Sequence, residues 1–395
     1  MFGKRISAAF VIWVGALLSV IAVGACGAYF VFTRGLIVTG LSDAVPWGLW
    51  ITVDLSSIAL SAGAFSVSAA IYILKMEKYK PIGRLAVFIG LIGYSMAVMT
   101  LLFDIGRPER FWHILAFGQP HSVLWEVTWC ITLYLVVLIT EVAPIVGETR
   151  IVQRLPLIPK LTYKLHQATP ILAVVGLILS LLHQSSLGAT YGVVKARPIW
   201  FKPNMAVLFI GSAIAGGLSL TILASLATSR IARREVVKKE LLFDLAKVTA
   251  VVLIAYLYLK LWDTVGMSYT YLPMRSESLA LLTRGPYSWA FWGWEIILGG
   301  VVPAVILAVP RLRENIWGLF TACALVVIGV VINRWNVNIS GLVTPLVLSP
   351  SLSLSPLAQY TPTWVEWVTS AGVVAYGLLA YTLGTRFLPI FVQSE

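Results

Sequence analysis

Charge is scarce in this sequence. Asp, Glu, Lys and Arg make up 12% of its 395 residues against 59% hydrophobic residues, and mean hydropathy is +0.88. Soluble domains carry about 25% charged residues, so this chain cannot clothe an ordinary water-facing surface. Cysteine is as rare. Cys26, Cys130 and Cys323 lie far apart in apolar runs without a C-x-x-C spacing, which argues against an iron–sulfur cluster or zinc site within the chain and reads most simply as three small packing residues. Only four histidines are present. A b-type haem usually takes two of them from facing helices. His166 and His183 would lie about 25 Å apart on one helix, and pairing His183 with loop residue His113 or His121 is a poor alternative, so a haem-free chain is expected. Alternating segments of about ten residues, the mark of a membrane barrel, are missing too, and no soluble domain fits between the apolar runs.

What the sequence does have is long apolar runs. A helix rising about 1.5 Å per residue needs about 20 apolar residues to cross a roughly 30 Å hydrocarbon layer. Ten such spans are expected at 9–32, 47–74, 84–104, 123–146, 166–188, 205–228, 245–265, 288–309, 316–335 and 364–385. The fold class is therefore an all-α integral membrane protein, read as one polytopic unit over 1–395. The first run follows Lys4-Arg5 as a signal peptide does, but it is too long for an h-region and Gly24-Ala25-Cys26-Gly27 is a weak cleavage cue, so it reads as an uncleaved anchor.

The net charge of +12 would suggest nucleic acid in a soluble protein. Here it follows from the positive-inside rule. With the N-terminus cytoplasmic, inner loops and flanks hold 18 of the 29 Lys and Arg, outer loops eight, and the spans three (Lys247, Lys260, Arg334). Both termini should then be cytoplasmic, and no nucleic-acid partner is expected. The basic inner segment 229–241 reads as a connector facing membrane lipid. The nearly uncharged outer segment 336–363 fits either the membrane surface or a partner protein.

Small-residue stretches at 56–64 and 211–217 in spans 2 and 6 would let helices approach closely. Spans 4 and 8, four apart, each carry a Trp-Glu pair near the outer end, Trp125-Glu126 and Trp294-Glu295. This hints at two related four-helix bundles plus two extra helices, although so thin an identity also arises by chance.

Polar groups in hydrocarbon are expensive, so their positions guide a functional reading. Asp54, Asp104, Glu126, His183, Glu295 and Glu366 all fall toward the outer ends of their spans. They should face a protein interior, where desolvated carboxylates and an imidazole can exchange protons. Each has a plainer reading. Asp104 and Arg107 can form a helix-end ion pair, the Trp residues can be an interfacial belt, and His183 can make a structural hydrogen bond. Glu141, about 22 Å inward of Glu126, and His166 near the inner edge can continue a proton path or be helix-end residues.

The blocks Pro46-Trp47-Gly48-Leu49-Trp50 with Asp54, Asp104-Ile105-Gly106-Arg107-Pro108-Glu109-Arg110-Phe111-Trp112-His113, Ser122-Val123-Leu124-Trp125-Glu126, His183-Gln184-Ser185-Ser186-Leu187-Gly188, Phe291-Trp292-Gly293-Trp294-Glu295 and Pro362-Thr363-Trp364-Val365-Glu366 span nearly the whole chain. In them the sequence resembles the NrfD/polysulfide-reductase family of membrane subunits, most closely its ten-helix branch with HybB and DsrP. The resemblance implies a haem-free subunit of a respiratory complex in the cytoplasmic (inner) membrane. Such a subunit binds quinone, with menaquinone expected, near the outer face. It exchanges electrons with a ferredoxin-like iron–sulfur subunit docked there and, through it, with further redox subunits or cytochromes. Carried onto this chain, the ring-site candidates are His183, Asp54, Asp104, Arg107 and Gln184, and the proton-relay candidates are Glu126, Glu141, Glu295 and His166. Two other classes stay open, a secondary transporter and a passive anchor of a redox enzyme.

Overall fold

In hydrocarbon each backbone N–H and C=O must be satisfied within its own segment, and the apolar runs fold accordingly. The computed structural model describes residues 7–149, 152–154, 158–344, 347–349, 352–353 and 358–391. Ten helices are long and apolar enough to cross a membrane, and the chain is a multi-pass membrane protein. They are α1 (Ala8–Arg34), α2 (Leu49–Ile73), α3 (Lys80–Asp104), α4 (Val123–Gly147), α5 (Ile158–Gly192), α6 (Met205–Ala232), α7 (Lys239–Ser268), α8 (Trp289–Ala308), α9 (Ile316–Val343) and α10 (Trp364–Phe387). A small antiparallel pair, β1 (Val347–Ser349) with β2 (Leu352–Ser353), lies between α9 and α10. The helices alternate in direction. The end carrying the α1–α2, α3–α4, α5–α6, α7–α8 and α9–α10 connections is termed the upper end.

Local chemistry sets the boundaries. Ser7 and Ser122 accept from Phe10 N and Trp125 N, and Asn315 accepts from Trp317 N and Gly318 N, so three helices start on side-chain caps. Thr363 and Glu366 close a capping box on α10. Gly106, at φ +75°, ends α3 in the left-handed conformation glycine tolerates. Helix α2 is interrupted at Ser61-Ala62, where Ser56, Ser61 and Ser66 donate to carbonyls one turn back at 2.6, 2.7 and 2.9 Å; such back-bonding bends helices. Helix α8 is a π-helix over Trp289–Val301 before it tightens to an α-helix.

Helices α2–α5 pack in a ring, and α6–α9 pack in a second ring. Helix α10 lies against α2 and α3, and α1 against α10. Two four-helix bundles and two extra helices result. The rings meet where α2 packs on α6 and α9. There a Cβ on Gly63 would sit 2.6 Å from Gly217 O, so both small-residue stretches lie at the joint between bundles.

Two expected boundaries move. Helix α5 reaches beyond 166–188 at both ends, and α9 continues to Val343 rather than stopping at 335. Asn336 and Asn338 read as residues leaving the membrane. They are 2% and 0% exposed and bond inward, so they extend the helix instead.

Candidate functional site

The upper end of the first bundle gathers polar groups from three neighbouring helices. Helix α5 supplies His183 and Gln184, 0% and 1% exposed, and α2 supplies Asp54, 3% exposed. His183 Nδ1 lies 2.9 Å from Tyr94 Oη on α3, and the Gln184 amide donates to Ile58 O at 2.9 Å, one turn along α2 from Asp54. Asp104 closes α3, and its carboxylate and that of Asp54 act on one another electrostatically. Tyr94 lies within the field of Asp54 as well.

Four atoms in this half of the bundle, His183 Nε2, Gln184 Oε1, Asp54 Oδ1 and, about 15 Å along α3 from Tyr94, Asp104 Oδ1, are shielded from solvent and find no hydrogen-bond partner among the described residues. A buried polar atom left unsatisfied costs about 1–3 kcal/mol. The set mixes acceptors with an imidazole nitrogen that can donate or accept. It suits a ligand presenting oxygens in either protonation state.

Other predicted residues lie elsewhere. Glu126, half-buried on α4, accepts from Ser186 Oγ at 2.8 Å and so ties α4 to α5. Arg107 is exposed and makes no ion pair with Asp104, because the chain turns between them at Gly106. Glu366 is fully buried but occupied. It accepts from Gly40 N at 2.8 Å, from Thr363 N at 2.9 Å and from the Tyr360 hydroxyl. The outer-end acids therefore do not form one cluster: Glu295 belongs to the second bundle and Glu126 bonds α5, while Glu366, on α10 against α2 and α3, acts electrostatically on Asp104.

Toward the lower end, Tyr94 stacks edge-on against Tyr134 of α4, centroids 4.7 Å apart, and Glu141 acts electrostatically on Tyr134. Tyr134, Glu141 and Glu148 recur every seven residues, two turns apart on one side of α4. Glu148 holds Arg84 through two contacts of 2.6 and 2.8 Å and His166 Nε2 at 2.9 Å. His166 is exposed. Tyr94 and Tyr134 were not singled out from the sequence. The seven-residue spacing of protonatable residues on α4 was the signal that could have found Tyr134.

The second bundle treats its charges differently. Glu295 accepts from Asn333 and Asn336 at 2.8 and 2.7 Å and pairs with Lys260 at 2.8 Å. Asp263 pairs with Lys202 at 2.6 Å and accepts from Asn204 at 2.8 Å. Burial holds Lys202 below the ordinary lysine pKa, against the opposite pull of Asp263. Arg334 lies 4.0 Å over the Phe209 ring and donates to Asn333 Oδ1 and Ser212 Oγ, each at 2.8 Å. The cavity these groups line, about 40 Å³, suits a water or two rather than a ring.

The bundles are laced together at the upper end. Tyr191 donates to Asn338 Oδ1 at 3.1 Å, and Asn338 donates to the Trp47 and Gly48 carbonyls at 3.1 and 3.2 Å. Buried Arg197 caps the end of α9, donating to Gly341 O, Leu342 O and Thr344 O at 3.0, 2.9 and 2.8 Å. Trp47 stacks on Trp200, centroids 6.0 Å apart.

Comparison with known proteins agrees with this architecture. The chain is 36% identical over 394 residues to the menaquinone reductase integral membrane subunit of Nitratidesulfovibrio vulgaris, covering 98% of this chain and 93% of that protein. It is 28% identical to the probable Ni/Fe-hydrogenase 2 b-type cytochrome subunit of Escherichia coli, over 89% of this chain and 85% of that one. It is 25% identical to the Hdr-like menaquinol oxidoreductase integral membrane subunit of Archaeoglobus fulgidus, over 99% and 96%. The family model described as polysulphide reductase, NrfD, matches residues 37–346, so with both bundles inside the match the chain belongs to the NrfD family.

Proposed function

We propose that this chain is the quinone-reactive membrane subunit of a respiratory redox complex in the cytoplasmic membrane, with menaquinone as its natural ligand. The termini lie in the cytoplasm and the upper end faces outward, where a ferredoxin-like iron–sulfur subunit docks and passes electrons to or from further redox subunits or cytochromes. Two relatives are named for menaquinone or menaquinol chemistry. The observation that carries the reading is the set of four partnerless buried atoms, on His183, Gln184, Asp54 and Asp104.

Their donor set fits a quinone head, whose two oxygens accept hydrogen bonds when oxidised and donate them when reduced. When bound, the quinone supplies the two-electron, two-proton chemistry, and the protein supplies position and proton handling. Tyr94 fixes the His183 ring through Nδ1 and leaves Nε2 to meet a ligand oxygen. If Tyr94 donates, Nε2 carries the proton; if Tyr94 accepts, Nε2 is free to take one. One imidazole thus serves both protonation states of the ligand. Gln184 and Asp54 flank it, and Asp104 adds a second carboxylate to hold a proton. Arg107, exposed beside this end, meets the ligand only if the partner turns it inward.

Protons then move through Glu126 toward the outer face. A second route runs along α4 by Tyr134 and Glu141 to the Glu148–His166 pair. Glu295, paired with Lys260, serves as a relay group of the second bundle.

The test is His183→Ala in the assembled complex. Quinone-coupled turnover should fall by roughly 100-fold or more, with assembly intact and electron transfer from an artificial donor to the partner subunit unchanged. Normal quinone turnover in an assembled variant ends this assignment.

A further inference from the structure

The lower end of the first bundle holds a cleft that the proposed reaction does not use. It lies between α3, α4 and α5 and has a volume of about 370 Å³. Its walls are apolar. Leu91 of α3 and buried Val142 of α4 form the back, Ile139 and Val146 are exposed on α4, and Leu165 faces them from α5. Helices α4 and α5 pinch together at Gly147, where an added Cβ would collide with Thr162 Oγ1. Beside this pinch they splay enough to leave the opening.

Water finds few hydrogen-bond partners in this open, apolar cleft and does not fill it favourably. A hydrocarbon chain does, and the lipid leaflet is the adjacent source. The surrounding charge selects the headgroup. Glu148 is already held by Arg84 and His166. Arg154, Lys160 and Lys164 lie exposed on the α4–α5 connection and within a turn of Thr162 and Leu165, and none makes an ion pair among the described residues. An apolar slot with exposed cations at the same end of the bundle fits an amphiphile with an acyl tail and a negative head.

We infer that this cleft is a binding site for an anionic phospholipid, its acyl chain between α4 and α5 and its phosphate among Arg154, Lys160 and Lys164.

The experiment is lipid retention by the purified complex, read by mass spectrometry after detergent washing and re-addition of phosphatidylglycerol, cardiolipin or phosphatidylcholine. Anionic lipid should be retained over phosphatidylcholine by about tenfold or more, and Arg154→Gln/Lys160→Gln/Lys164→Gln should remove most of that preference. Val146→Trp, which fills the slot from its mouth, should abolish retention, while Ile178→Trp on the exposed face of α5 should not. If Val146→Trp does not assemble, the triple variant decides alone, since it changes only exposed side chains. Equal retention of phosphatidylcholine, a quinone in place of phospholipid, or retention indifferent to the variants that assemble would overturn the assignment. His183→Ala leaves this readout untouched, so the lipid site and the quinone reading fail separately.

Discussion

The two bundles are built alike and treat their buried acids differently. In the second, Glu295 has a lysine and two asparagine amides, and Asp263 has a lysine and an asparagine. In the first, Asp54, Asp104, His183 and Gln184 each keep an atom without a partner among the described residues. A charge removed from water needs a counter-charge or a ligand. The second bundle pairs Glu295 and Asp263 with lysines, although its Arg334 Nε and Asn336 Oδ1 also lack a partner among the described residues, and the first gives Asp54 and Asp104 no cation there. The difference marks the first bundle as the candidate ligand site where composition alone does not.

The largest effect should come from breaking the paired side. Lys260→Met leaves Glu295 buried with amide partners only and should destabilise the chain by about 3–5 kcal/mol, seen as a lower thermal midpoint in detergent. Lys260→Met/Glu295→Leu should recover most of that loss. An unchanged midpoint in the single variant would mean that the second bundle does not depend on its pair.

A matched isosteric swap sharpens the contrast. Asp54→Asn should leave the thermal midpoint unchanged or raised, because it removes a buried carboxylate that repels Asp104, while quinone-coupled turnover falls by roughly 100-fold. Glu295→Gln should lower the midpoint, because it weakens the contact with Lys260. If the two substitutions behave alike, the division of labour between bundles is wrong. The smallest effect is expected at Tyr94. Tyr94→Phe keeps the ring packing against Tyr134 and frees His183 Nδ1, so turnover should drop by about tenfold with a displaced pH profile and a similar KM. A flat loss at every pH would mark Tyr94 as structural only.

Much of the fold was legible. Spans stand out because lipid tolerates few polar residues, and the small-residue stretches of α2 and α6 pointed to the close approach found at Gly63 and Gly217. The end of α9 was misplaced for a physical reason. Asn336 and Asn338 look like residues in water, and only the inward bonds to Glu295 and to the Trp47 and Gly48 carbonyls explain them inside a helix. The candidate site was legible as a set of residue types at similar depths. Its membership was not, since depth along a helix says nothing of which neighbour a side chain faces. Tyr94 and Tyr191 passed unnoticed because a tyrosine in an apolar run looks like packing.

The sequence by itself determined ten spanning helices and the depth of each acid, because hydrocarbon forces every backbone bond inside its own segment and makes each charge conspicuous. Glu126 and Glu295 both follow a tryptophan near the upper end of a helix, and nothing local tells them apart. Only the ring each helix joins gave one a serine and the other a lysine with two asparagines. Hydrogen bonds and ion pairs act over about 3 Å, and distances of that size between helices far apart in the chain are set by packing.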